Sequence, residues 1–223
     1  MARRCSRVLH AWLPPWRRLN PEPLYRWVAR TFTYVVFRPH YEGFEHLPER
    51  GPALLVANHV SYVDGLVIAA ACKRPVRFII DEEIYRLPGI HYFMRHNRAI
   101  PIMPTRASVA KALDTIAEGL RDGDLICIFP EGQLTYTGHL GRFRPGIEWM
   151  VRRTPVPVYP VALMGLWGSI FSRKYRKGHW RWLPRLPLRR VRAICTPAVP
   201  PQAVHCGALQ RTILDIRSRF MEL

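Results

Sequence analysis

His59 and Asp64 stand five residues apart in VANHVSYVDG (56–65), with Ser61 between them and the apolar run ALLVA (53–57) overlapping its start. A second polar cluster, Pro130-Glu131-Gly132, follows the apolar run DLICIF (124–129). A histidine with one ring nitrogen held by a carboxylate and the other facing a cleft is a general base with its orienter. The same residues have a plainer reading. Ser61 and Asp64 form a Ser-x-x-Asp box, which favours a helix N-terminus without any catalysis. That reading leaves His59 unexplained, and no serine or cysteine nucleophile is evident nearby. Residue types and spacing leave both readings open.

The segments around these clusters alternate between strand and helix patterns. Short apolar runs predict strands over 53–57, 76–80, 99–103, 124–129 and 155–163. Helices are expected over 61–72 and over 107–120, where Val109, Leu113, Ile116 and Leu120 share one face. Continuous apolar strands alternating with helices predict an α/β fold: a single domain, residues 35–223, with a mostly parallel central sheet flanked by helices. In such sheets functional residues gather beyond the carboxyl ends of strands, where both polar clusters fall.

The net charge of +18 on 223 residues favours acidic partners: nucleic acid, anionic lipid, an acidic carrier protein or a phosphorylated substrate. Residues 1–38 carry eight arginines against one acid, Glu22, with Trp12, Trp16, Tyr25, Trp27 and Tyr34 interleaved. A similar mixture recurs over 172–190. Residues 1–34 are therefore expected to form a membrane-associating segment. Within it, 24–37 reads as an amphipathic interfacial helix that turns into a strand near its end. The alternative is a face that contacts RNA or stays solvated, but no nucleic-acid recognition motif accompanies it. Neither a signal peptide nor a spanning helix is expected. The longest uncharged run, 154–172, is 19 residues but is broken by Pro155, Pro157 and Pro160. Cys5, Cys72, Cys127, Cys195 and Cys206 lack paired spacing and read as reduced thiols; no metal site is expected.

NHVSYVDG and FPEG (129–132), about seventy residues apart and each at a strand end, together resemble the first and third motifs of the glycerolipid acyltransferases. That family includes the lysophosphatidate acyltransferases. The likeness runs from about Val35 to Val199, with AIPI (99–102) as the second motif region and Gly146 and Pro160 in matching places further on. It implies that His59 is the general base on a glycerol hydroxyl and that Asp64 sets its tautomer. Donors near Ser61 would stabilise the oxyanion. Asn58, Arg106, Phe129, Pro130, Glu131 and Gly132 would complete the substrate site, with Glu131 and Gly132 on the acceptor's glycerol. The implied reaction moves a fatty acyl group from acyl-CoA or acyl carrier protein to a lysophospholipid, with no further cofactor, at the cytoplasmic face of a membrane.

Two departures stand out. Arg98 occupies the position where the second motif usually opens with glycine, and its arginine appears late, as Arg106. The third motif, often continued by Thr-Arg-Ser, here continues Gln133-Leu134-Thr135. FPEGQLTYTG is closer to the acyltransferase half of the bifunctional 2-acylglycerophosphoethanolamine acyltransferase/acyl-carrier-protein synthetase. Either the acceptor carries a substituted headgroup, or Arg98, Arg106 or Arg142 supplies the cation that Leu134 lacks. A catalytically inactive lipid-binding relative would share the pattern, although its His-x4-Asp pair need not be intact.

Overall fold

The computed structural model describes residues 22–88, 90–173 and 190–221. Most of the membrane-associating segment expected over 1–34, and most of the second basic run, lie outside those residues. The elements are α1 (Glu22–Phe37), β1 (His40–Glu42), β2 (Ala53–Ala57), α2 (Asp64–Ala71), β3 (Val76–Asp81), α3 (Glu82–Tyr85) and α4 (Ile90–His96). They continue with β4 (Ile100–Ile102), α5 (Arg106–Arg121), β5 (Leu125–Ile128), α6 (Gly146–Arg153), β6 (Val158–Met164), β7 (Arg192–Cys195) and α7 (Cys206–Met221).

The seven strands form one sheet in the order β1-β7-β6-β2-β5-β3-β4. Strands β6, β2, β5, β3 and β4 run parallel. β7 pairs antiparallel with β6, and β1 runs parallel to β7, so two strands at one edge are reversed. This is the expected α/β architecture with a mostly parallel sheet.

Strand β2 is central and fully buried, and its alternation divides the core in two. Ala53, Leu55 and Ala57 pack with Phe37 of α1 and Val67 and Ile68 of α2. Leu54 and Val56 face the other way, toward Ile116 and Leu120 of α5, Ile147 and Met150 of α6, and Leu209 and Ile213 of α7. Helices therefore cover both faces, and β2 and β5 lie side by side with both polar clusters at their carboxyl ends.

Two local expectations are corrected. First, α1 continues as a helix to Phe37 and does not turn into a strand. Its β-branched residues are overridden by packing: Ala29, Thr33 and Phe37, at i, i+4 and i+8, are buried along one side. The Arg30 guanidinium donates to the carbonyls of Ala70 and Cys72, capping the end of α2. α1 thus runs unbroken through positions 34 and 35, where a segment boundary was expected. Its other face leaves Trp27 (64% exposed), Val28, Phe32, Tyr34 and Val35 (73% exposed) uncovered.

Second, α2 begins at Asp64 and not at Ser61. The Asp64 carboxylate turns back to accept the backbone N–H groups of Val60 and Ser61, and Ser61 Oγ accepts from Val63 N. Residues 61–63 are consumed in that turn, and only the Asp-to-Ser half of the capping box forms. No helix among the described residues is long and apolar enough to cross a membrane.

Candidate functional site

Directly beyond β2, His59 Nδ1 lies 2.8 Å from Asp64 Oδ2. The carboxylate is completely buried, while the histidine side chain is 23% exposed. With Nδ1 held by the carboxylate, Nε2 is the nitrogen left for a substrate. Asp64 Oδ2 also accepts from Val60 N at 2.7 Å and Ser61 N at 2.9 Å. Burial pushes the Asp64 carboxyl up, opposed by the hydrogen bond from His59 and by the two backbone donors. The His59 ring is stacked on Phe129, with centroids 4.2 Å apart and planes 17° from parallel, so the residue directly after β5 supplies the surface that sets its orientation.

The loop after β5 grips the backbone of the same histidine. Glu131 Oε1 accepts His59 N–H at 2.7 Å, and Thr135 N–H donates to His59 O at 3.0 Å. Glu131 Oε2 accepts Gly141 N–H at 2.7 Å. The Glu131 side chain is nearly enclosed, and burial raises its carboxyl, with the two amide donors working against that. The resemblance assigns this carboxylate to the acceptor's glycerol; its geometry gives both oxygens to backbone amides. Gly132 has φ 68°, and a Cβ there would come within 2.9 Å of the Arg144 guanidinium, which lies across the turn. Pro130 O accepts Arg144 N at 2.9 Å.

Asn58 has no exposed surface, and its side chain exchanges two hydrogen bonds with the backbone of Leu163, extending the β2–β6 ladder by one rung. Ser61 is equally buried and donates to Phe171 O at 3.4 Å. The N–H groups of residues 60–64 are all engaged within the chain: two on Asp64, and the rest on Phe171 O, Ser61 Oγ and Ser61 O. The expected oxyanion donors are therefore not found among these five amides. Arg106 starts α5 beyond the edge strand β4, three strands from β2. That is about 14 Å at the usual strand spacing. His59, Asp64, Phe129, Pro130, Glu131 and Gly132 are brought together; Arg106 is not.

Sequence reasoning missed Thr135, Gly141 and Arg144, whose roles depend on contacts between segments distant in sequence. It also missed Arg217 of α7, which is buried and donates to Gly138 O at 2.7 Å, holding the far side of the same loop.

A family model described as Acyltransferase matches residues 38–164, more than half of the chain. The chain belongs to the glycerolipid acyltransferase family. A chloroplast 1-acyl-sn-glycerol-3-phosphate acyltransferase of Arabidopsis thaliana is 31% identical over 154 residues, covering 68% of this chain and 43% of that one. A 1-acyl-sn-glycerol-3-phosphate acyltransferase of Cocos nucifera is 27% identical over 162 residues, 71% of this chain and 51% of its own. The chain thus spans about half the length of these curated relatives. The fold is similar to the crystal structure of the 1-acyl-sn-glycerophosphate acyltransferase PlsC from Thermotoga maritima. The TM-score is 0.68 at 22% identity, over 96% of this chain and 85% of that one. Within the family match fall both polar clusters and the strands that carry them.

Proposed function

We propose that this chain transfers a fatty acyl group from an acyl thioester to the free hydroxyl of lysophosphatidate or a closely related lysophospholipid, at a membrane surface. The observation that carries the reading is the 2.8 Å contact between His59 Nδ1 and the buried Asp64 carboxylate, at the end of a parallel strand. His59 Nε2 takes the hydroxyl proton as the oxygen attacks the thioester carbonyl. Asp64 keeps the proton on Nδ1 and stabilises the imidazolium that forms. The tetrahedral intermediate collapses, the C–S bond breaks, and the thiolate leaves with the proton returned by His59. Histidine serves twice and no acyl-enzyme is needed, which fits the burial of the neighbouring Ser61, whose hydroxyl turns to Phe171 O.

Glu131 and Thr135 act one step back, fixing the backbone that carries His59. Asn58 and Ser61 brace the strand end and the turn. Phe129, Pro130 and Gly132 form the wall on the β5 side. The donor is acyl-CoA or acyl carrier protein, and either would be drawn to the basic surface. The uncovered face of α1 is the membrane-contacting surface. Phe37 at its end packs on Phe171, whose carbonyl accepts from Ser61 and Tyr62, so this helix leads from the lipid to the site.

Incubation of the full chain with acyl-CoA and a panel of lysolipids tests the reading. Diacyl product with lysophosphatidate, lost by about 10²–10⁴-fold in His59→Ala, is expected. Thiol release without diacyl product would point to a thioesterase, and no turnover of any acceptor or donor to an inactive relative.

A further inference from the structure

An open pocket of about 910 Å³ lies against Glu131, between the loop 133–145 and the first turns of α6 and α7. Arg142 and Arg144 line it on either side of Phe143, which is buried and anchors the segment. Both arginines are exposed, and among the described residues neither pairs with a carboxylate. The acids of the pocket are already committed. Glu131 holds two backbone amides, and Glu148 accepts Cys206 N at 2.8 Å and faces Arg152. Two unneutralised guanidiniums therefore stand at one mouth, and such forks match the geometry of phosphate oxygens.

The other cations proposed from sequence do not reach this place. Arg98 is at the amino end of β4, so it lies at the opposite end of the parallel strands from His59, and it pairs with Asp124 at 3.1 Å. Arg106 is three strands from β2. Position 134 itself offers only a leucine, 3% exposed. Arg144, by contrast, lies on the Gly132 turn, in the space a Cβ would fill.

We propose that Arg142 and Arg144 hold the phosphate of the acceptor lysophospholipid in this pocket; the inference rests on the acyl-transfer reading. Glu131 joins the two subsites, with His59 N–H on one oxygen and Gly141 N–H on the other, each at 2.7 Å. The acceptor's phosphate is only a few bonds from its reacting hydroxyl, which suits that closeness. The phosphates of coenzyme A are separated from the thioester by the whole pantetheine arm, which does not.

The test uses the full chain and a six-carbon lysophosphatidate kept below its micelle concentration. Binding is measured by calorimetry for the wild type, His59→Ala, Arg142→Gln/Arg144→Gln, and Arg121→Gln as a charge control on α5. Affinity should fall about tenfold or more in the double variant. His59→Ala and Arg121→Gln should keep it, and acyl-CoA binding should change less than threefold. In steady state the double variant should raise the acceptor KM with little change in kcat. The proposal is overturned if the wild type does not bind the lysophosphatidate, if the double variant binds it undiminished, or if only acyl-CoA binding is lost. Binding lost as expected without turnover by the wild type would retain the phosphate site and reject acyl transfer.

Discussion

Glu131 Oε1 holds the backbone N–H of His59 at 2.7 Å across 72 residues of sequence. Asp64 fixes the ring of that histidine, and Glu131 and Thr135 fix its main chain, so the proposed general base is located from the ends of two strands at once. Neither carboxylate needs to touch substrate to matter.

Glu131 is accordingly expected to act through His59. Glu131→Ala should lower kcat by about 10²-fold, the cost of misplacing a catalytic group by about 1 Å, with little change in acceptor KM. It should also destabilise the fold by about 1–3 kcal/mol for each amide left unpaired. Steady-state kinetics and urea denaturation separate the two effects. A rise in acceptor KM at constant kcat would instead return Glu131 to direct contact with the acceptor.

Asp64→Asn should trade activity for stability. Burial raises the folded pKa of Asp64 above its unfolded value. Its contribution to stability is therefore greatest below the unfolded pKa, and is lost as pH rises through the folded one. Where the group is ionised, it works against folding. The amide should hold the fold at least as well there, with kcat down about 10²–10⁴-fold because the histidine tautomer is no longer enforced. Denaturation midpoints at neutral pH, with kcat for both proteins, check the pair of effects.

How much of this was legible in the sequence depends on the range of the contact. ALLVA was readable as a buried strand because every side chain in it is apolar, and it spans the same five residues in the structure. His59, Asp64 and the turn at Glu131 were readable because each falls directly after such a run. The start of α2 was misplaced because a serine cap and a carboxylate that turns back share one pattern. The end of α1 looks like a strand by β-branching, and the packing of Thr33 and Phe37 into the core makes it helical. Arg144 carried no local signal at all: its significance comes from Gly132, twelve residues earlier, having no side chain.

Glu148 joins two helices and should show the opposite pH dependence to Asp64. It accepts Cys206 N at the start of α7, and that bond lowers its pKa. A depressed carboxyl contributes stability that is present above its unfolded pKa and lost as pH falls through the folded one. Glu148→Ala should cost about 1 kcal/mol at neutral pH, a typical value for a lost helix cap. The difference from wild type should shrink below the ordinary carboxylate range. Thermal melts across that interval measure it, and a pH-independent difference would assign the effect to packing alone.

The outer face of α1 should decide membrane partition without contributing to folding. Trp27 and Val35 are the most exposed of the large apolar residues described on it, and neither belongs to the core. Moving one such side chain from water into an apolar phase is worth about 1.5–3 kcal/mol. Trp27→Ser/Val35→Ser should therefore weaken binding to anionic vesicles by tenfold or more, with the melting temperature unchanged. Raising the ionic strength should weaken the remaining association, because it then rests on arginines facing charged headgroups. If sedimentation with vesicles were undiminished in the double variant, the lipid contact would have to come from another surface, and α1 would be only a brace for α2 through Arg30.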